Sequence, residues 1–213
     1  LLLNVGVFIY ELGMTEPQLQ QFFLTYGTIP QEITHGTDLW TLVTSMFLHG
    51  GWMHIIGNML FLWVFGDNIE HVLGHAGFFL FYMVGGLAAS IAHVLAGPES
   101  AIPSLGASGA ISAVLGAYLV MFPRARITTL VPFGFVFVTR IPAIFFLGIW
   151  AAQQFISGIA DLGARAVETG GVAWWAHIGG FVFGVVIGVL FRGRAAQVKY
   201  IVKEDYNSRR PTG

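Results

Sequence analysis

The fold is decided by residues 100–123, which read SAIPSLGASGAISAVLGAYLVMFP. This stretch carries no charged side chain. It places Ser108 among small residues, where a proline- and glycine-containing turn gives way to a helix. A hydroxyl with such small neighbours can be approached closely by the backbone of another chain. Because its surroundings are apolar, a substrate of this serine would itself be embedded in a membrane.

The whole chain has the composition of a membrane protein. Hydrophobic residues make up 55% of it and charged residues 10%, and apolar segments recur along the chain instead of forming one core. Several uncharged stretches reach the roughly 20 residues that a spanning helix needs. We therefore predict an all-α polytopic membrane protein, a bundle of six transmembrane helices whose first helix is cut short at its N-terminus. The predicted spans are residues 1–10, 39–66, 76–97, 100–123, 141–160 and 169–191.

The positions of the basic residues predict the orientation of these helices. All of them except Arg165 follow either the fourth or the sixth span. Since positively charged loops stay in the cytoplasm, residues 15–38 should face outward. We predict a membrane domain over residues 1–192 and a cytoplasmic, disordered tail over residues 193–213. That short tail has no interleaved aromatic residues, which argues against a nucleic-acid partner.

The fourth helix should be too short to cross the membrane. If the chain stays irregular until Ser108 and Pro123 ends the helix, 14 residues remain, which span about 21 Å. A hydrocarbon core is about 30 Å thick. The outer end of this helix should then lie below the membrane surface, with Ser108 at the floor of a water-filled pit that opens outward.

Polar residues from two other helices should come to the same depth. His54 and Asn58 share one face of the second helix, and His177 lies near the outer start of the sixth. Serine needs a base to become a nucleophile, and His177 is the candidate. His54 and Asn58 are candidate donors for an oxyanion hole. No acidic residue lies within a predicted span, so a Ser-His dyad without a carboxylate is expected.

Small residues recur every fourth position on the fourth and sixth helices. Such stripes allow two helix backbones to approach closely, which would bring Ser108 and His177 together. They comprise Gly109, Ala113 and Ala117 on one helix, and Gly180, Gly184 and Gly188 on the other.

Each polar residue also has a purely structural interpretation. Ser108 could serve packing alone, and His54 and Asn58 could form an interhelical hydrogen-bonded pair. His71 and His75 have the spacing of a metal-binding pair, but a solvated helix face explains them as well. The sequence has no cysteine, which excludes disulfides and thiolate metal sites. We predict neither a metal nor a cofactor.

Three motifs resemble those of bacterial rhomboid intramembrane serine proteases. They are HGGWMHIIGN over residues 49–58, GASG over residues 106–109, and AHIGG over residues 176–180 followed by Gly184. The resemblance implies an oxyanion hole at His54 and Asn58, a nucleophile at Ser108 and a general base at His177. It treats Gly106, Gly109, Gly180 and Gly184 as packing positions.

The resemblance also implies a function and a location. Such a protein would lie in the bacterial inner membrane among lipids and cut single-pass membrane proteins near the outward end of their transmembrane helix. The family's tyrosine one turn after the nucleophile is replaced by Ser112, and residues 15–38 lack the family's Trp-Arg pair. An inactive relative that binds membrane clients and a transporter remain alternatives. A transporter would favour carboxylates within the membrane, and the sequence places none there.

Overall fold

The computed structural model describes residues 1–133, 135–163 and 172–208. The described chain is mostly helical, as predicted, with a long irregular segment before its central helix. In chain order its elements are α1 (Leu2–Glu11), α2 (Glu16–Tyr26), α3 (Pro30–Thr34), α4 (Thr41–Thr44), a 3-10 turn (Ser45–Phe47), α5 (Trp52–Leu73), α6 (His75–Ala96), α7 (Ser108–Met121), β1 (Arg126–Phe133), β2 (Phe135–Pro142), α8 (Ala143–Gly163) and α9 (Trp174–Ser208).

Helix α7 lies at the centre of the bundle, in contact with α5, α6, α8 and α9. Every residue from Gly109 to Tyr118 is buried, as expected for a helix surrounded by other helices. The helix begins after Gly106, whose φ of 125° is not helical. It ends before Pro123, because proline disfavours helical backbone at the residue that precedes it. The predicted 14-residue helix from Ser108 is confirmed.

The backbones of α7 and α9 approach each other closely at glycines. A Cβ atom added to Gly180 would lie 2.1 Å from the carbonyl oxygen of Gly109, and one added to Gly184 would lie 1.9 Å from the carbonyl oxygen of Ala113. No larger side chain fits at either place without moving a helix. The spacing of four residues thus places two glycines of α9 against the backbone of α7.

The link between α7 and α8 corrects the all-α prediction. Strands β1 and β2 pair antiparallel, from Arg126 opposite Pro142 to Phe133 opposite Phe135. The predicted spans left residues 124–140 without an assigned element. Residues 126–142 are rich in β-branched and aromatic side chains, which favour strands.

The count of six spanning helices is not confirmed. Within the described residues, three helices are long and apolar enough to cross a membrane, namely α6, the Ala143–Asp161 part of α8 and the Trp174–Gln197 part of α9. The apolar helices α1 and α7 are shorter. The predicted span over residues 39–66 is divided, because the chain breaks at Gly51, where φ is 152°, before α5 begins.

Helix α9 extends beyond the predicted end of the membrane domain. It continues to Ser208, whereas the sequence predicted disorder from residue 193. No glycine or proline occurs between Gly193 and Pro211, so nothing in this segment interrupts a helix. Residues 209–213 lie outside the described residues, and the domain boundary at residue 192 stays a prediction.

We expect Gly184→Ala to destabilise the protein, because its Cβ atom would meet the backbone of α7. Overpacking of this kind lowers the free energy of unfolding by about 1–3 kcal/mol. Gly193→Ala is the matched control on the same helix, since nothing lies within 4 Å of its Cβ position. Unfolding by SDS in mixed micelles, followed by circular dichroism, measures both. Equal stability of the two variants would contradict the close approach of α7 and α9.

Candidate active site

Ser108 and His177 lie within hydrogen-bond distance of each other. The Ser108 Oγ atom is 2.8 Å from the His177 Nε2 atom. Ser108 is the first residue of α7, and His177 lies in the first turn of α9. The glycine contacts between these two helices therefore determine how closely the hydroxyl and the imidazole approach.

Hydrogen bonds hold the irregular segment that precedes Ser108. Ser104 exchanges two backbone hydrogen bonds with Thr28, of 3.0 and 2.8 Å, and the Gly106 N–H donates to the Ser45 carbonyl at 2.9 Å. The Thr28 hydroxyl donates to the Thr41 carbonyl at 2.9 Å and accepts from the Ser45 hydroxyl at 2.8 Å. Several backbone groups of this segment are thus paired within the protein, as irregular backbone in an apolar environment requires.

The second ring nitrogen of His177 contacts an amide that the sequence analysis missed. The Nδ1 atom is 2.8 Å from the Oε1 atom of Gln154, a buried residue of α8. One signal was available, because Gln153 and Gln154 form an amide pair within the uncharged stretch 141–160. Amides in membrane helices commonly form hydrogen bonds across helices.

The aromatic neighbours of His177 are tryptophans. The ring centroid of Trp150 is 6.1 Å from that of His177, with an interplanar angle of 36°. Trp174 lies at 6.4 Å, perpendicular to the imidazole. The hydroxyl of Ser112 donates instead to the Ser108 carbonyl, at 2.6 Å. The imidazole is therefore flanked by α8 and by the start of α9, and not by the position where the family's tyrosine was expected.

His54 presents a ring N–H toward the segment before Ser108. The Gly50 backbone N–H donates to the His54 Nδ1 atom at 3.3 Å. In the neutral ring Nδ1 is then the acceptor, so that Nε2 carries the hydrogen. A Cβ atom added to Gly106 would lie 2.6 Å from this Nε2 atom. Only a glycine leaves space for the His54 ring here, and the φ of Gly106 also favours glycine.

The side-chain amide of Asn58 is a buried donor without an acceptor. Its Nδ2 atom has no hydrogen-bond partner within the described part of the chain, and Asn58 is 8% exposed. The same Cβ position at Gly106 lies 3.7 Å from Nδ2. Two N–H donors from α5 therefore meet the backbone two residues before Ser108, as a site for an oxyanion requires.

A small cavity lies beside Ser108. It offers about 20 Å³ to the centre of a water molecule, which is room for about one water. Ser108 and the backbone glycines at 106 and 109 contribute to its wall, together with Ser45, Ser90 and Ala176. A water molecule in this cavity would lie beside the serine hydroxyl.

A buried carboxyl group lies beside His49, the neighbour of His54. Glu11, at the end of α1, is 3% exposed, and its Oε1 atom accepts the His49 backbone N–H at 3.3 Å. The His49 and His54 rings are perpendicular neighbours, 5.1 Å apart. Glu11 follows the first predicted span directly, and no role was predicted for it. His49 lies in the irregular segment before α5.

Among the described residues, His71 and His75 belong to no group of three or more side chains that could hold a metal ion. His71 Nδ1 bonds the Asp67 carbonyl oxygen at 2.9 Å, and the exposed His75 contacts Glu70. These contacts are those of a solvated helix end.

Comparison with known proteins identifies the family. The sequence model of the Rhomboid domain family matches residues 36–194. Rhomboid protein 1, mitochondrial, of Saccharomyces cerevisiae is 32% identical over 192 residues, which cover 88% of this chain and 51% of the yeast protein. The Presenilin-associated rhomboid-like protein A, mitochondrial, of Danio rerio is 31% identical over 178 residues, which cover 79% of this chain and 41% of the fish protein.

A bacterial relative matches a shorter segment. The Rhomboid protease GluP of Bacillus subtilis is 36% identical over 96 residues, or 45% of this chain and 18% of that protein. This chain thus spans about half or less of the length of these relatives. Because mitochondrial and bacterial proteins both match, the comparisons do not establish the bacterial origin that the sequence analysis expected. The match over residues 36–194 means that the chain belongs to the Rhomboid domain family.

Proposed function

We propose that this chain is a serine endopeptidase that cuts single-pass membrane proteins within the membrane, near the extracytoplasmic end of their transmembrane helix. The family contains intramembrane proteases as well as inactive members, and it acts on membrane proteins. The observation that carries the proposal is the 2.8 Å distance between the Ser108 hydroxyl and the His177 imidazole. An inactive member has no need of a hydroxyl and an imidazole in this arrangement.

The proposed reaction has two halves. Ser108 Oγ attacks the scissile carbonyl carbon while its proton passes to His177 Nε2. The carbonyl oxygen becomes negatively charged and accepts hydrogen bonds from the His54 Nε2–H and the Asn58 amide. The C–N bond then breaks, and the imidazolium gives its proton to the leaving amine. Water then loses a proton to His177 as its oxygen attacks the acyl carbon. The bond from that carbon to Ser108 Oγ breaks, and His177 returns the proton to Oγ as the carboxyl product leaves.

The depth of the site supports a substrate in the membrane. Helix α7 has 14 residues, about 21 Å, and the charged Arg124 that follows it should stay at one surface of the bilayer. The Ser108 end would then lie below the other surface of a hydrocarbon core about 30 Å thick. A substrate helix must present an unpaired backbone carbonyl to Ser108, and a helix that unwinds easily does so at least cost.

We expect Ser108→Ala and His177→Ala to lower cleavage of a model single-pass protein in liposomes by at least about 10³-fold, since each removes one half of a unit that acts together. Product analysis by mass spectrometry measures the rate. His75→Ala is the histidine control, because its side chain is 97% exposed. Cleavage that survives Ser108→Ala would exclude this dyad, and a parent protein that binds such substrates but never cuts them would favour the client-binding alternative.

Removal of either oxyanion donor should slow the chemical step. We expect His54→Ala and Asn58→Ala to lower kcat by about 10²- to 10³-fold with little change in KM. Gly57→Ala lies on the same helix with nothing within 4 Å of its Cβ position and should keep the parent rate. A raised KM with an unchanged kcat would assign the two side chains to substrate binding instead.

The proposed orientation can be tested because the sequence has no cysteine. Two single-cysteine variants, Gln20→Cys and Arg194→Cys, would each be treated with a membrane-impermeant maleimide in intact cells. The charge distribution predicts labelling of Gln20→Cys only, with the C-terminus on the cytoplasmic side. Labelling of Arg194→Cys alone would reverse the topology.

A further inference from the structure

Gln154 occupies the place that an orienting acid would take beside a catalytic imidazole. It is 5% exposed and reaches from α8 to His177, with 2.8 Å between its Oε1 atom and the ring Nδ1 atom. An amide oxygen can only accept a hydrogen bond. The hydrogen of the neutral ring must therefore be on Nδ1.

A second hydrogen bond determines which end of the amide faces the ring. The Gln154 Nε2 atom lies 3.4 Å from the carbonyl oxygen of Trp150, one turn earlier on α8. In the opposite orientation two carbonyl oxygens would face each other at that place. The Trp150 carbonyl thus keeps the Gln154 oxygen toward His177, which is the evidence needed to assign the two ends of an amide.

This assignment has a direct chemical consequence at Ser108. With the hydrogen on Nδ1, the lone pair of Nε2 points at the Ser108 hydroxyl, 2.8 Å away. In the other tautomer Nε2 would carry a hydrogen and could not accept the serine proton. A histidine base with the wrong tautomer loses most of its activity even when its position is unchanged.

We propose that Gln154 is a positioning residue that holds His177 in its proton-accepting tautomer, the role that a carboxylate has in a Ser-His-Asp triad. This inference rests on the proposed protease function. Within the described part of the chain, the hydrogen bonds of the His177 ring go to Ser108 and Gln154, and none goes to a carboxylate.

A neutral amide suits this position. A buried carboxylate without a permanent cation would be costly in an apolar site, whereas an amide forms the same hydrogen bond without a charge. The other titratable groups close enough to influence the charge of His177 are His54 on α5 and His93 on α6.

Two substitutions separate the positioning role from a packing role. Gln154→Leu keeps the apolar part of the side chain and removes the acceptor. We expect kcat to fall by about 10- to 100-fold, by analogy with the loss of the partners that orient metal-bound histidines, while KM stays within about twofold. Gln154→Glu restores an acceptor and adds a charge that favours the protonated ring. It should rescue kcat at high pH and move the acid limb of the pH–rate profile to higher pH.

The control is Gln153→Leu, whose side chain is exposed and which should keep the parent kcat and pH profile. Packing alone predicts that Leu and Glu both lower activity in proportion to lost stability, with no displacement of the acid limb. That result, or full kcat in Gln154→Leu, would overturn the inference. If Gln154→Leu fails to fold, the pH–rate profile of Gln154→Glu decides between the two roles. An acid limb at higher pH supports the positioning role, and an unchanged acid limb rejects it.

A readout without turnover separates this inference from the proposed function. The ¹⁵N shifts of labelled histidine in liposomes report which ring nitrogen carries the hydrogen, and a His177→Ala difference spectrum assigns the signal. We expect a protonated Nδ1 in the parent and a loss of that preference in Gln154→Leu. If the parent protein cleaves no substrate but still carries the hydrogen on Nδ1, the protease proposal fails and the role of Gln154 stands. If the parent cleaves substrate and Gln154→Leu keeps the hydrogen on Nδ1, the role of Gln154 is rejected.

Discussion

The close approach of α7 and α9 is the contact on which the rest of the structure depends. Gly180 and Gly184 leave room for the backbone carbonyls of Gly109 and Ala113. Within a membrane, apolar side chains gain little by leaving lipid for protein, so close packing of small residues and interhelical hydrogen bonds hold the helices together. The same contact sets the hydroxyl of Ser108 at 2.8 Å from the imidazole of His177.

Around that contact, polar groups keep part of their hydrogen-bonding capacity unused. His54 accepts a backbone N–H on one ring nitrogen, which leaves the other as a donor, and the Asn58 amide lies buried without an acceptor among the described residues. An unsatisfied buried donor costs free energy. A ligand that supplies the missing acceptor is one explanation for such a group, and the proposed oxyanion would be that acceptor. Donors fixed before the reaction stabilise a developing charge most effectively.

Much of the site could be predicted because its members are polar residues in apolar surroundings. Ser108, His177, His54 and Asn58 are polar residues in stretches whose other residues are typical of lipid-facing or packed helices. The length of α7 could be predicted from the proline and glycine residues that flank it. Gln154 could not be assigned, since its partner depends on how α8 rotates against α9. The hairpin over residues 126–142 was missed because a short apolar run does not distinguish strand from interfacial loop. The break at Gly51 has a signal in the Gly50-Gly51 pair, but the uncharged residues on both sides of it favoured a single span.

The central claim is that Ser108, His177 and the two α5 donors form one reaction centre. A crystal structure of the protein treated with a fluorophosphonate tests it most directly, since the adduct resembles the tetrahedral intermediate. The account predicts phosphorus bonded to Ser108 Oγ, with its oxygen about 3 Å from both the His54 Nε2 and the Asn58 Nδ2 atoms. An adduct on another residue, or a phosphonyl oxygen that points away from both donors, would contradict it.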